Sequence, residues 1–179
     1  MKFIRVIKAR WNDNDKFTSF QEALAYDLKN NGVVYEDLFW LSAHLWDLEE
    51  IIDGIRNYDF LNSRIKKILE GITYVDYIQL EFEELLNDNF YYVYEDLDLS
   101  GAQSNELPQN LEQLKTRLND LNSRISKDLK DLKKSITNIS DYGSRVFKTR
   151  VINNIDKFEK YILNISNKYI DYLNKEYNK

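Results

Sequence analysis

The sequence predicts a mainly α-helical protein. An acidic N-terminal part of α+β character carries a minor two-stranded sheet, and a long antiparallel helical hairpin of coiled-coil type follows it. Three observations carry this prediction. Two apolar stripes of helical period, each roughly 30 residues long, lie on either side of a single turn in the C-terminal third of the chain. Five glycines and one proline in 179 residues leave few natural breaks, which favours long helices over a turn-rich sheet. Two short stretches, 2–8 and 89–94, alternate their side chains in the manner of strands.

From the N-terminus, KFIRVIK at 2–8 is short and β-branched and reads as a strand, and NDND at 12–15 reads as a turn. Ser19 and Glu22 form a capping box that opens a helix to about Asn30, with Gly32 expected to supply its left-handed C-cap. Leu38, Leu41, Leu45, Leu48, Ile52 and Ile55 then recur at spacings of 3 and 4 and define the clearest helix of the first half. A helix over about 59–71 carries Leu61, Ile65, Ile68 and Leu69. Residues 72–86 mix strand-like alternation with a helical FEELL and read as mainly helical. In NFYYVY at 89–94 the alternation of Phe90, Tyr92 and Tyr94 with Tyr91 and Val93 predicts a strand that pairs with 2–8, its rings in the core.

From Leu107 the pattern becomes a heptad seam. It includes Leu114, Leu118, Leu121 and Ile125 and runs on to Ile139 with one extra residue after Ile125. A turn at 140–144 precedes a second stripe from Phe147 to Tyr172 that includes Ile155, Phe158, Ile162 and Ile165. Stripes joined by so short a loop run antiparallel. The acid-first pairs Asp120–Arg124, Asp156–Lys160 and Asp171–Lys175 have the favourable i,i+4 orientation on its outside.

Charge divides the chain at nearly the same place. The net charge of −5 conceals a first part, 1–106, with 21 acidic against 10 basic residues and a remainder with 9 against 15. The expected organisation is therefore an acidic N-terminal domain, 1–105, and a basic hairpin, 106–179. No Lys, Arg or His occurs between Lys67 and Lys115.

Several function classes lose their support at this point. The chain has no cysteine, which removes disulfides, thiolate metal sites and cysteine nucleophiles. Its one histidine, His44, has no second histidine with which to bind a metal and no nucleophile elbow to serve, so a structural role is expected. Phosphate-cradling glycine motifs are missing, and the adjacent acids Glu49-Glu50 and Glu83-Glu84 point apart on a helix rather than flanking one bond. Neither enzymatic activity nor a cofactor or metal is expected. With no signal-like N-terminus and no long apolar run, a soluble cytoplasmic protein is expected. Abundant Asn, Lys, Ile and Tyr, residues with A/T-rich codons, hint at a bacterial or phage genome, in which case the compartment is the host cytoplasm.

What remains is binding. A base-stacking role for the aromatic stretch is disfavoured because backbone phosphates would be repelled by its acidic surroundings. Basic residues near the hairpin tip, Arg145, Lys148 and Arg150, offer only a minor route to nucleic acid. The sharper expectation is an acidic face made of Asp76, Glu81, Glu83, Glu84, Asp88, Glu95, Asp96 and Asp98. Such a face would imitate nucleic-acid charge and engage a protein partner with a basic surface, such as a nuclease or defence complex. Small acidic cysteine-free inhibitors of phages and mobile elements share this profile. The same acids could instead dock on the chain's own basic hairpin. The alternative function is structural: a scaffold or homodimer assembled through the hairpin seam.

Overall fold

The computed structural model describes residues 32–72, 75–90, 107–138 and 145–177. Its elements are α1 (Val33–Asp53), a 3-10 turn (Gly54–Asn57), α2 (Ser63–Glu70), α3 (Val75–Phe90), α4 (Leu111–Asn138) and α5 (Arg145–Tyr177). The leucine stripe of the first half is the core face of α1: Leu38, Leu41, Leu45, Leu48 and Ile52 are buried, and Ile55 extends the stripe through the 3-10 turn. Gly32 departs from expectation. With φ −69° and ψ 175° it is extended rather than left-handed, and it is the N-cap of α1.

α2 begins at Ser63, later than its apolar spacing suggests, because Asn62 acts as N-cap and its side chain accepts from the Ile65 amide at 2.9 Å. The ambiguous stretch after it resolves as helix, and here the strand expectation is corrected. Residues 89–90 form the last turn of α3, and no strand occurs among the described residues. The reason is tertiary. Ile78, Phe82, Leu85, Leu86 and Phe90 share helical spacing and turn toward the core, with Phe90 only 2% exposed. The buried Asn89 side chain donates from Nδ2 to the Leu85 carbonyl, while its Oδ1 accepts from Asn154 of α5 at 3.0 Å. The remaining parts of that expectation, 2–8 and 91–94, lie outside the described residues, as do the helix at 19–30 and the turn at 140–144.

The hairpin helices follow the predicted stripes. Leu107 is the exception, exposed and ahead of the helix, because Asn110 caps α4 by accepting from the Gln113 amide at 2.8 Å. Gln113 in turn accepts from the Gln109 amide, a reciprocal arrangement close to a capping box. The seam residues Leu114, Leu118, Leu121, Ile125, Ile155, Phe158, Ile162 and Ile165 are all 7% exposed or less.

Four helices close into a ring: α1 packs on α4, α4 on α5, α5 on α3, and α3 back on α1. Their directions follow from which residues meet. Asp37 with Ser135 and His44 with Asp128 run in opposite order along α1 and α4. Lys133 with Asp156 and Asn122 with Asn167 do the same for the hairpin. Asn154 with Asn89 and Phe158 with Phe82 do so for α5 and α3. Ring neighbours are therefore antiparallel throughout, and in chain order α1, α3, α4 and α5 run up, down, down, up around a four-helix bundle. One continuous apolar cluster draws on α1 to α3 as well as on both hairpin helices.

Candidate functional site

The acidic face is built on α3. Residues 75–90 contain no Lys, Arg or His, and the apolar side of the helix packs on α5, including Phe82 against Phe158 at 5.6 Å between ring centroids. Glu81, Glu84 and Asp88 lie on the opposite side and are exposed. Their i, i+3, i+7 spacing sets successive carboxylates about 4.5 and 6 Å apart along the axis. Leu80, 53% exposed, stands in the same stripe, one turn before Glu84 and two before Asp88. Reading the acids alone misses it, although the spacing 80, 84, 88 was available as a signal.

The other predicted acids divide. Glu83 is half-buried and already interacts within the chain, so it does not belong to the outward stripe. Asp76 lies in the first turn of α3, where only the backbone is described, and Glu95, Asp96 and Asp98 lie outside the described residues.

Acids of α1 do dock on the chain's own hairpin. Asp37 accepts from the Ser135 hydroxyl at 2.5 Å, and the Asp47 carboxylate sits 3.7 Å from the Arg117 guanidinium. Between them His44 Nδ1 meets Asp128 Oδ2 at 2.5 Å, with the imidazole stacked on Trp40 at 6.1 Å. Burial raises the pKa of Asp37, and the charges of Asp131, Glu36 and Asp128 add to this while the Ser135 hydrogen bond opposes it. His44 thus joins two helices as a structural residue.

Part of the hairpin's positive charge is neutralised too, once by α1 through Asp47 and otherwise by the hairpin's own acids. Arg117, Arg124, Lys127 and Lys133 each have a carboxylate partner. Asp156, expected to pair with Lys160, accepts from Lys133 of α4 instead, and Glu159 accepts from the same ammonium. Burial alone would lower the Lys133 pKa, but these two hydrogen bonds and their charges outweigh it and hold the pKa above the ordinary lysine value. Near the tip Arg150 is exposed, Lys148 is half-buried and donates to the Thr137 carbonyl at 3.4 Å, and the Arg145 side chain lies outside the description.

A groove of about 810 Å³ runs along the first turns of α4, lined by Leu107, Pro108, Gln113, Thr116, Arg117 and Asp120 among others. Its one cation, Arg117, is the residue that faces Asp47. Among the described residues no three His, Asp or Glu side chains converge as a metal site, and no helix is long and apolar enough to cross a membrane. No protein-family model, no curated protein and no solved structure matches this chain, so its own residues carry the functional reading.

Proposed function

We propose that this protein is a non-enzymatic binding protein whose acidic α3 face engages a protein partner with a basic, nucleic-acid-handling surface. The observation that carries the reading is the exposed stripe Glu81, Glu84 and Asp88 on a helix without a basic residue. Its spacing of about 4.5–6 Å per charge is of the same order as the axial charge spacing of a single nucleic-acid strand, about 3.4 Å. The partner's Lys and Arg side chains would meet regularly placed anions on a rigid element, and Leu80 at the N-terminal end of the stripe would supply apolar contact. Asp76, Glu95, Asp96 and Asp98 are further candidates for contact with the same partner. An inhibitor encoded by a phage or mobile element, acting in the host cytoplasm, is the biological setting that this composition fits.

The scaffold reading is less well supported. The seam that would join copies is occupied by the chain's own packing, at 7% exposure or less. Affinity capture from the native host, or from the organism it infects if the chain is phage-encoded, tests the proposal. The expected partner is basic, binds more weakly as salt rises, and is lost when Glu81, Glu84 and Asp88 are changed together to Lys. Retention of the same partner by the reversed variant would count decisively against it.

A further inference from the structure

α3 and α5 pack side by side and antiparallel, and each turns a row of charge outward. On α3 the row is Glu81, Glu84 and Asp88. On α5 it is Arg150, Lys157, Lys168 and Lys175, all exposed, at spacings of 7, 11 and 7. These spacings are close to two and three whole helical turns, so the four cations return to one side of α5. None of these side chains has an oppositely charged partner among the described residues.

Position brings the two rows together. Glu81 and Asp88 directly precede Phe82 and Asn89, the residues of α3 that meet Phe158 and Asn154 of α5. Lys157 in turn directly precedes Phe158. Each of these charges lies about 100° round its helix from the contact, and because the helices are antiparallel this turn carries both rows to the same face of the bundle. The same contacts set the heights. Glu84 stands level with Lys157, Asp88 between Lys157 and Arg150, and Glu81 between Lys157 and Lys168.

We propose that this α3/α5 face is a self-association surface and that its occupant is a second copy of the chain. A two-fold axis parallel to the helices lays α3 of one copy over α5 of the other without changing any height. The acids of each copy then meet the cations of the other, twice over, whereas within one chain the two rows stay unpaired. A nucleic acid on the α5 row would instead bring its phosphates beside the three acids of α3. Exposed ion pairs are individually weak and screened by salt, so the dimer forms at low salt and high concentration and dissociates as either changes. The buried seam of α4 and α5 takes no part. The acids covered are those on which the partner reading rests, and on that reading a basic partner and the second copy compete for them.

Sedimentation of the full-length protein alone tests the dimer without any other molecule. At high micromolar concentration the wild type should approach twice the chain mass at about 25 mM salt and return to the chain mass at about 500 mM. Glu81→Lys/Glu84→Lys/Asp88→Lys and Arg150→Glu/Lys157→Glu/Lys168→Glu, all changes at exposed positions, should each stay at the chain mass, since both rows then carry one sign. An equimolar mixture of the two variants should give a 1:1 complex. The α5 variant keeps every acid of α3, so it should still capture a basic partner while failing to dimerise, and a failed capture leaves the dimer result standing. A wild type that stays at the chain mass at low salt, or either variant self-associating as the wild type does, overturns the proposal. So does a labelled duplex oligonucleotide that binds a monomeric wild type and not the α5 variant, because the α5 row then serves nucleic acid.

Discussion

The Tyr169 hydroxyl on α5 donates to the carbonyl of Leu69 on α2 at 2.8 Å, joining residues 100 positions apart. The ring is buried, and the bond ties the short helix to the hairpin beside the core packing of Ile65 and Leu69. The Leu69 carbonyl also accepts from Ile72, so Tyr169→Phe does not orphan it. Chemical denaturation should show a loss of about 1 kcal/mol. Burial also pushes the pKa of Tyr169 well above the ordinary tyrosine value, and it pushes that of Tyr58 to about 12. Both rings therefore hold their protons more tightly when folded. Stability should fall as pH climbs from about 10 toward those raised values, and fall less steeply in the Tyr58→Phe/Tyr169→Phe variant.

Gly54 is constrained by a ring rather than by its backbone. A Cβ there would lie 2.7 Å from the Tyr58 hydroxyl oxygen, which donates to the Ile51 carbonyl at 3.1 Å. Gly54→Ala should displace Tyr58 and destabilise the fold by about 1–3 kcal/mol. Combining it with Tyr58→Phe should give less than the sum of the two single effects, a coupling that a double-mutant cycle measures.

Leu118 and Ile162 are fully buried within one chain. Leu118→Ala should cost about 2–5 kcal/mol, and Ile162→Ala a similar amount. Sedimentation should give the same mass for both variants as for the wild type. A mass that collapses only in the variants would revive assembly through the seam.

Asp37 carries a raised pKa, caused first by burial and then by neighbouring carboxylates. Its folded form holds a proton more tightly than the unfolded chain does, so its contribution is most favourable in acid and is lost as pH rises through the raised value. Asp37→Asn, neutral throughout, should raise the unfolding temperature at pH 7 by a few degrees. That gain should shrink as pH falls into the carboxylate range.

The seams of α4 and α5 were legible because apolar residues recur at 3 and 4 over seven or more turns, and α1 was legible for the same reason. The end of α3 was not. Phe90 alternates with its neighbours like a strand residue, yet it lies one turn after Leu86, and burial against the core decided between the two periods. The acids of the α3 stripe could be placed on one face from spacing alone, whereas Leu80 was overlooked among them. Contacts such as His44 with Asp128 were out of reach: periodicity assigns a residue to a face but does not say which helix, 84 residues on, will cover it. The acid–base asymmetry offered intramolecular docking only as an alternative, and for the acids of 76–98 rather than for those of α1.

Competition on a captured partner tests the central claim most directly. Labelled nucleic acid bound to the partner is titrated with wild-type protein and with the Glu81→Lys/Glu84→Lys/Asp88→Lys variant. If the α3 face occupies the nucleic-acid groove, the wild type displaces the label completely at one equivalent per site and the variant does not. A ternary complex of partner, nucleic acid and wild-type protein would contradict the account, and so would displacement by the variant as efficient as that by the wild type.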